Sequence, residues 1–147
     1  MENLLTQAQA DFLKGVEKHC ATTESFHFPR RSEKISIPLQ TPNGKEKFSL
    51  DVGRGGIVLA KCKFQTRARS SIILVRVDLA GPGHENPDGV KIPCPHIHLY
   101  REGWGDKWAE ALPEQFTAPA DLWQTLLDFY IYCNVTRQPI MQQEMLA

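Results

Sequence analysis

Apolar and polar residues alternate through the middle of the chain, which is the pattern of β-strands that bury one face. Residues 34–40 ("KISIPLQ") and 47–52 ("KFSLDV") alternate strictly, and Asn43-Gly44 between them is the strongest short signal for a hairpin. Pro38 predicts that the first strand lies at a sheet edge, because proline cannot donate a hydrogen bond to a neighbouring strand.

Three further strands are expected over residues 56–66, 71–79 and 94–101. With the first two they predict a meander of about five antiparallel strands. The loop "AGPGHENPDGVKI" before the last strand is long enough to form a flexible flap. His84 in this loop has no partner that the sequence identifies, so we expect it to be solvated.

A helix is expected on each side of the strands. Residues 2–20 carry apolar side chains at steps of three and four, which places these side chains on one helical face. A second helix is expected over residues 117–133, with Pro119 suited to its first turn and Asp121 suited to its positive N-terminal end. From Thr136 the chain is expected to form a short tail or a loosely docked turn. The predicted buried stripes are Leu5, Ala8, Phe12 and Val16 in the first helix, and Leu122, Leu126, Phe129 and Cys133 in the second.

The fold class that these elements predict is α+β, with both helices on one face of the sheet. The length of 147 residues suits one hydrophobic core, and the sequence contains no internal repeat or linker. We therefore expect a single domain over residues 1–147.

Composition narrows the classes of function. Lys plus Arg and Asp plus Glu number 17 each, so any surface that binds nucleic acid must be a local basic patch. The four cysteines are far apart and show neither the spacing of a zinc ribbon nor that of a disulfide scaffold. The first residues lack the pattern of a signal peptide, and no apolar run reaches the roughly 18 residues of a membrane span. A cytoplasmic protein with no membrane partner is expected.

The pairing of the last two strands decides which polar side chains meet. If their apolar residues face each other, Asp78 lies beside His96 and Arg76 lies beside His98. A slip of two residues on one strand would keep the faces and put Asp78 opposite His98. The polar face of the sheet is predicted to carry Lys61, Lys63, Gln65, Arg76, Asp78, His96, His98 and Tyr100.

A polar sheet face of this kind also occurs simply as a wet surface that keeps a protein soluble. The first functional interpretation of this polar face is that it binds a phosphate-bearing ligand, either RNA or a nucleotide. Lysine and arginine neutralise phosphates, and aromatic side chains can stack on bases. The candidate ligand-binding residues are Arg76, Lys61, Lys63, Arg101, Trp104 and Lys107.

A catalytic interpretation assigns general acid and base roles to His96 and His98, since histidine can serve in either role near neutral pH. Arg76 would stabilise charge on a phosphate, and the Asp78 carboxylate would fix the tautomer of one imidazole. The expected chemistry is cleavage of a phosphodiester without a metal ion, although the sequence leaves open whether the protein is an enzyme. The candidate catalytic residues are His96, His98, Tyr100 and Asp78.

Zinc binding is an alternative, although no cofactor is required by the leading interpretation. Cys94, His96 and His98 are spaced two residues apart and would point to one side of a strand. A fourth ligand could come from His84, Asp88 or Asp106.

The segment "EGWGDKWAEALP" follows the histidines and offers a different kind of surface. Trp104 lies between two glycines and is the better candidate for an exposed contact. Trp108 is expected to cap the core where the chain turns towards the second helix.

The run "PHIHLYREGWGDKWA" resembles a motif of small bacterial proteins of unassigned function, some of them near mobile genetic elements. That resemblance covers about an eighth of the chain and implies no catalytic residues. The strand also resembles the His-x-His strand of histidine-triad nucleotide hydrolases, but Cys94 stands where the third histidine would be. The matching residues of the bacterial motif are His96, His98, Arg101, Glu102, Gly103, Trp104, Gly105, Asp106, Lys107, Trp108, Ala109 and Pro113.

Two functions from different classes follow from the sequence. The leading prediction is a phosphate-bearing ligand on the polar sheet face. The alternative is a non-enzymatic interaction protein or inhibitor from a mobile element, which would dock a protein partner through the tryptophan segment and a sheet edge.

Overall fold

The computed structural model describes residues 5–143 and has an α+β fold. The elements are α1 (Gln7–Gly15), β1 (Lys18–Cys20), β2 (Ser25–His27), β3 (Lys34–Gln40), β4 (Lys47–Arg54), β5 (Cys62–Ala68), β6 (Ile72–Asp78), β7 (His84–Glu85), β8 (Lys91–Ile92), β9 (His96–Leu99), β10 (Ala109–Ala111), α2 (Leu122–Tyr132), β11 (Val135–Arg137) and β12 (Ile140–Gln142). Eight of these strands form the main sheet in the order β10-β9-β6-β5-β4-β3-β1-β11, so the prediction of about five strands was too low. Two further pairs, β12-β2 and β7-β8, form small separate sheets.

Strands β3 to β6 form the expected antiparallel meander. Strand β5 begins at Cys62, six residues later than predicted, and Ile57 before it is 96% exposed. Pro38 does not mark an edge, because β3 lies between β4 and β1. The proline is tolerated there because β1 pairs only with Leu39 and Gln40 of β3.

The first helix is shorter than predicted, and of the predicted stripe only Leu5, which precedes the helix, is buried. Thr6 and Gln9 form a capping box that starts α1, and Val16 has left the helical conformation. Ala10 and Leu13 are buried, whereas Phe12 is 60% exposed. Residues 18–20 belong to β1 rather than to the helix, and residues 2–4 of the predicted helix lie outside the described part of the chain.

The second helix begins five residues later than predicted, at Leu122, so Pro119 lies before the helix rather than in its first turn. Asp121 is its N-cap and accepts a hydrogen bond from the Gln124 N–H. The predicted stripe is buried from Leu122 to Cys133. The buried side chains of both helices and of the central strands belong to one hydrophobic cluster.

The segment after the second helix is more ordered than predicted. Strand β11 pairs in parallel with β1, and β12 pairs in parallel with β2. Lys18 on β1 is fully buried, and its ammonium donates to the backbone carbonyls of Lys14, Val16 and Cys133. Neither described helix combines the length and the apolar character that a membrane crossing requires.

Candidate functional site

Two rows of mainly polar residues cross one face of the main sheet. In each row, residues directly opposite each other on neighbouring strands share a face. The register of β6 and β9 is the first of the two predicted, so Asp78 faces His96 and Arg76 faces His98. The first row is Lys34, Gly53, Lys63, Asp78 and His96, and the second is Ser36, Asp51, Gln65, Arg76 and His98.

The two histidines converge on one oxygen of Asp78. Nε2 of His96 is 3.1 Å from Asp78 Oδ2, and Nε2 of His98 is 3.4 Å from the same atom. Both histidines are buried, with side-chain exposures of 2% and 0%. The ligand atoms of the three residues lie within 4.8 Å of one another.

Arg76 supplies the positive charge next to this group. Its Nη1 donates to the Asp106 carboxylate at 2.7 Å, and its Nε lies 3.3 Å from Asp78 Oδ2. Its Nη2 is 2.9 Å from Nε2 of His98, while Nδ1 of His98 is 2.7 Å from the backbone carbonyl oxygen of Asp106. Asp106 therefore orients both Arg76 and His98, a role that sequence spacing does not reveal.

These contacts keep Asp78 ionised. Burial would raise the pKa of the Asp78 carboxyl, but the positive charges of Arg76 and Lys63 beside it hold it well below its usual range. Burial, helped by the Asp78 charge, raises the pKa of the Cys94 thiol. Cys94 is therefore a neutral thiol at neutral pH and not an activated nucleophile.

His84 is not solvated as predicted but joins the histidine pair. Its ring packs edge-on against His98 with 4.6 Å between centroids, and it lies 6.1 Å from His96. Nε2 of His84 is 2.7 Å from the backbone carbonyl oxygen of Lys107. No periodic pattern of residues points to this contact, because it depends on how the β7–β8 hairpin docks.

Asn86 fixes the same hairpin to the edge of the sheet. Its side-chain amide donates to the Ala109 carbonyl at 3.0 Å and accepts from the Ala109 N–H at 2.8 Å. Asn86 is buried, and the two bonds imitate those that another strand would make to β10. The β7–β8 hairpin is therefore held beside the histidines by both His84 and Asn86.

A cleft of about 480 Å³ opens next to Asp78, between the start of β5 and the segment that follows β6. We call it the basic cleft, since it contains four cationic side chains and two acidic ones. It is lined by Ser32, Glu33, Lys34, Gly53, Arg54, Gly55, Lys61, Cys62, Lys63, Asp78, Ala80, Pro82 and Cys94.

The sheet face continues from the basic cleft into a second cleft. Lys34, Gly53 and Lys63 line both of them. In the second cleft, Arg67 is paired with Asp51, and the two side chains are 2.6 Å apart. Burial would raise the pKa of Asp51, but its bonds to Arg67 and Gln65 lower it. Arg67 is therefore neutralised by Asp51 and adds no free positive charge to the second cleft.

Tyr100 does not lie with the histidines. Its side chain belongs to the hydrophobic core, and its hydroxyl donates to the backbone carbonyl of Leu5 at 2.8 Å. Strand β9 ends at Leu99, so the alternation that predicted the position of Tyr100 no longer applies at residue 100. Tyr100 is consequently a structural residue.

The tryptophan segment forms its own group of side chains. Trp104 is 43% exposed and meets Trp108 edge-on at 5.8 Å. Arg101 lies over the Trp108 ring at 4.2 Å, and the Lys107 side chain is exposed. Within residues 5–143 the hydrophobic core does not include Trp108, so the prediction that Trp108 caps the core was wrong. The structure places Arg101 and Trp104 together with Trp108 rather than in the basic cleft.

Cys94 is set apart from the point where the histidines meet. Its Sγ lies 3.6 Å from Nδ1 of His96, on the opposite side of that ring from Asp78. Asp78, rather than Cys94, thus stands beside the two histidines as the third possible metal ligand. Three donors, one carboxylate oxygen and two imidazole nitrogens, are in place for a metal ion.

Comparison with known proteins assigns the chain to a family but indicates no activity. No curated protein and no solved structure matches the chain significantly. The family described as "Family of unknown function (DUF6978)" matches residues 5–135. This range includes both helices and the cluster formed by Arg76, Asp78, His84, His96, His98 and Asp106. On this match, the chain belongs to the family of unknown function DUF6978.

Proposed function

We propose that the basic cleft binds a small phosphate-bearing ligand of about nucleotide size. The observation that carries this proposal is the set of four cationic side chains around one concave space. Lys34, Arg54, Lys61 and Lys63 line the cleft, against only Glu33 and Asp78. Asp78 is partly compensated by Arg76, which it shares with Asp106, and the four cations of the cleft outnumber its two acidic side chains.

Two glycines make room for Lys61 at the mouth of this cleft. A methyl group on Gly55 would come within 3.0 Å of the Lys61 side chain, and one on Gly81 would come within 3.4 Å. The aliphatic part of Lys61 thus lies between two positions without side chains. This placement brings the stem of Lys61 close to the backbone on both sides, while its side chain stays exposed to a ligand in the cleft.

The dimensions and the lining favour a small molecule over RNA. A volume of about 480 Å³ is in the usual range for small-ligand sites. The residues that line the basic cleft, all in the described part of the chain, include no aromatic side chain on which a base could stack. We therefore expect recognition of phosphate groups, with the second cleft available to the rest of the ligand.

Calorimetric titration with pyrophosphate, with ATP and with a short single-stranded RNA tests the proposal. Binding of pyrophosphate and ATP should weaken as salt is added, because the contacts are electrostatic. Lys61→Gln and Lys63→Gln should each weaken binding about tenfold, the usual effect of losing a charge-assisted hydrogen bond. Lys45→Gln is the matched control, since Lys45 is exposed and lies in the turn between β3 and β4.

The titration can fail in two distinct ways. If none of the three probes binds, or if Lys45→Gln weakens binding as much as Lys61→Gln, the proposal is wrong. If only the RNA binds, the ligand is a nucleic acid strand and the size argument is wrong.

Binding is better supported than metal-free phosphodiester cleavage. Both histidines are buried, and all four of their ring nitrogens lie within contact distance of protein atoms. A substrate would reach His98 only if the β7–β8 hairpin with His84 moved away. A chain that binds ATP or RNA and leaves it intact after prolonged incubation would agree with this assignment.

A protein partner is the second candidate, and the exposed Trp104 favours it. An aromatic side chain that is 43% exposed next to Arg101 is typical of interface anchors. The resemblance to proteins near mobile elements is the further support for an accessory or inhibitory role. Trp104→Ala should then abolish capture of the partner and leave ATP binding unchanged, whereas Lys61→Gln should do the reverse.

We place this function in the cytoplasm. All four cysteines are free thiols, and Cys20, Cys62 and Cys133 are buried. Free thiols are typical of a reducing compartment. Fractionation of cells that make the protein would test this placement.

A further inference from the structure

We infer that Asp78, His96 and His98 form a binding site for one divalent transition metal ion of the first row, with Zn²⁺ as the reference ion. The inference goes beyond anion binding and does not depend on it. It is carried by the convergence of three donor atoms on one point beneath the sheet face, at the end of the basic cleft that Asp78 lines.

The spacing of the donors suits tetrahedral coordination. Zinc bonds to nitrogen and carboxylate oxygen are about 2.0–2.1 Å long, which puts neighbouring ligand atoms roughly 3.3 Å apart. Asp78 Oδ2 lies 3.1 Å from Nε2 of His96 and 3.4 Å from Nε2 of His98. All three donors fall within 4.8 Å of one another, so small side-chain movements bring them around one ion.

The other nitrogen of each ring is placed as in metal-bound histidines. Nδ1 of His98 lies 2.7 Å from the carbonyl oxygen of Asp106, and Nδ1 of His96 lies 3.3 Å from that of Pro93. A carbonyl at Nδ1 holds the proton there and leaves the Nε2 lone pair free for a metal. Both rings therefore present Nε2 to Asp78 with the orientation already fixed by the backbone.

Arg76 is the competing cation at this site. Without a metal ion, its guanidinium contacts Nε2 of His98 and Oδ2 of Asp78. Metal binding requires the guanidinium to leave these two atoms, and it can keep its bond to the Asp106 carboxylate, which does not involve them. Because two cations repel each other at such distances, removal of the Arg76 charge should tighten metal binding.

Three protein ligands leave at least one coordination position open. Open positions are typical of catalytic rather than structural zinc sites. Asp78 lines the basic cleft, so the open position would face that side and accept water or a ligand oxygen. Cys94 lies at the other nitrogen of His96 and is not one of the three donors.

The test is a titration of the metal-stripped full chain with Co²⁺ and Zn²⁺. One equivalent of Co²⁺ should give the visible absorption of a tetrahedral site, and Zn²⁺ should displace it. His98→Ala and the nearly isosteric Asp78→Asn should weaken binding at least about a hundredfold. Arg76→Gln should tighten metal binding. His19→Gln is the control, because His19 lies on β1 and is paired with Glu17.

A second measurement separates loss of the site from loss of the fold. Nitrogen-15 spectra of the wild-type histidines should show Zn²⁺-induced changes at Nε2 of His96 and His98 and not at His19. Cys94→Ser should keep one-to-one binding, whereas a site built from Cys94 and the two histidines would lose it. The inference is overturned if the wild-type chain binds no metal stoichiometrically, if binding survives His98→Ala, or if it is lost in Cys94→Ser.

Discussion

Arg76 and His98 face each other on neighbouring strands, and Nη2 of Arg76 lies 2.9 Å from Nε2 of His98. A guanidinium can only donate hydrogen bonds, so this imidazole nitrogen must accept. The proton of His98 then resides on Nδ1 and is donated to the Asp106 carbonyl oxygen at 2.7 Å. In the metal-free protein His98 is therefore neutral, with one defined tautomer.

Nitrogen-15 correlation spectra of the metal-free protein at neutral pH check this tautomer. We expect a protonated Nδ1 and an unprotonated Nε2 for His98. In Arg76→Met the donor to Nε2 is gone, so the tautomer should no longer be unique. A doubly protonated His98 in the wild-type chain would contradict the assigned hydrogen bonds.

The Asp78 carboxylate should stabilise the fold in a pH-dependent manner. Asp78→Asn should lower the free energy of unfolding at pH 7 by about 2 kcal/mol, because Arg76 loses part of its compensation. The pKa of Asp78 is lowered on folding, so its contribution is complete above the unfolded value of about 4. The difference between wild type and variant should shrink as the pH falls below that value.

Urea unfolding at several pH values between 3 and 7 measures this difference. Glu24→Gln serves as the control, since Glu24 is exposed and its removal should cause no pH-dependent change. A difference between wild type and Asp78→Asn that is constant over this range would show that the charge of Asp78 does not contribute.

Lys18 should also make stability rise with pH, but in the alkaline range. Its burial lowers the pKa of the ammonium to about 8, whereas an unfolded lysine titrates near 10.4. Between these values only the unfolded chain holds the proton, so the contribution of Lys18 to stability rises with pH. Relative to Lys18→Met, wild type should gain up to about 1.4 kcal/mol per pH unit above pH 8.

The comparison of the two proteins isolates this effect. Burial raises the pKa values of Cys62 and Cys133 to about 12. Wild type and Lys18→Met therefore both lose stability at the alkaline pH values where these thiols ionise only in the unfolded chain. Because both cysteines are present in wild type and in Lys18→Met, their effect largely cancels in the difference. Equal slopes of stability against pH for the two proteins would refute the role given to Lys18.

Asn86 should control the attachment of the β7–β8 hairpin. Asn86→Ala removes two hydrogen bonds to Ala109 and leaves its N–H and carbonyl without these partners, at a cost of about 1–3 kcal/mol. Hydrogen exchange should accelerate at Ala109 and in residues 84–92, while the amides of β4 and β5 remain protected. Gln138→Ala, an exposed change far along the chain, is the control. Unchanged exchange in residues 84–92 would mean that other contacts hold the hairpin.

The centre of the site was predictable because it depends on a local rule. Alternation along β6 and β9 fixes which side chains share a face, and the facing apolar residues fix the register. Asp78 is predicted in this way to lie beside His96, and Arg76 beside His98, as observed. The position of Tyr100 was predicted wrongly because β9 stops at Leu99, and alternation has no meaning beyond the end of a strand.

The parts that were missed depend on contacts between distant segments. His84 reaches the histidine pair through the docking of a hairpin that has no periodic pattern of its own. Strands β1 and β11 have three residues each, too few for alternation to be detected, and each is defined by its partner. The first helix was predicted to be too long, because its apolar spacing continues into Val16 and beyond. The capping residues and β1 set its real limits.

The parallel pairing of β1 with β11 has a consequence for how the chain reaches its native state. Lys18 meets Cys133 across 115 positions of sequence, so this contact forms only after most of the polypeptide is available. Contacts of such separation slow folding, because the entropy of closing a long loop is lost before the contact is gained. On the ribosome, β3 to β6 can assemble as successive hairpins, while the neighbourhood of Lys18 stays incomplete until β11 has emerged. A segment that is synthesised after the whole meander thus completes the first strand.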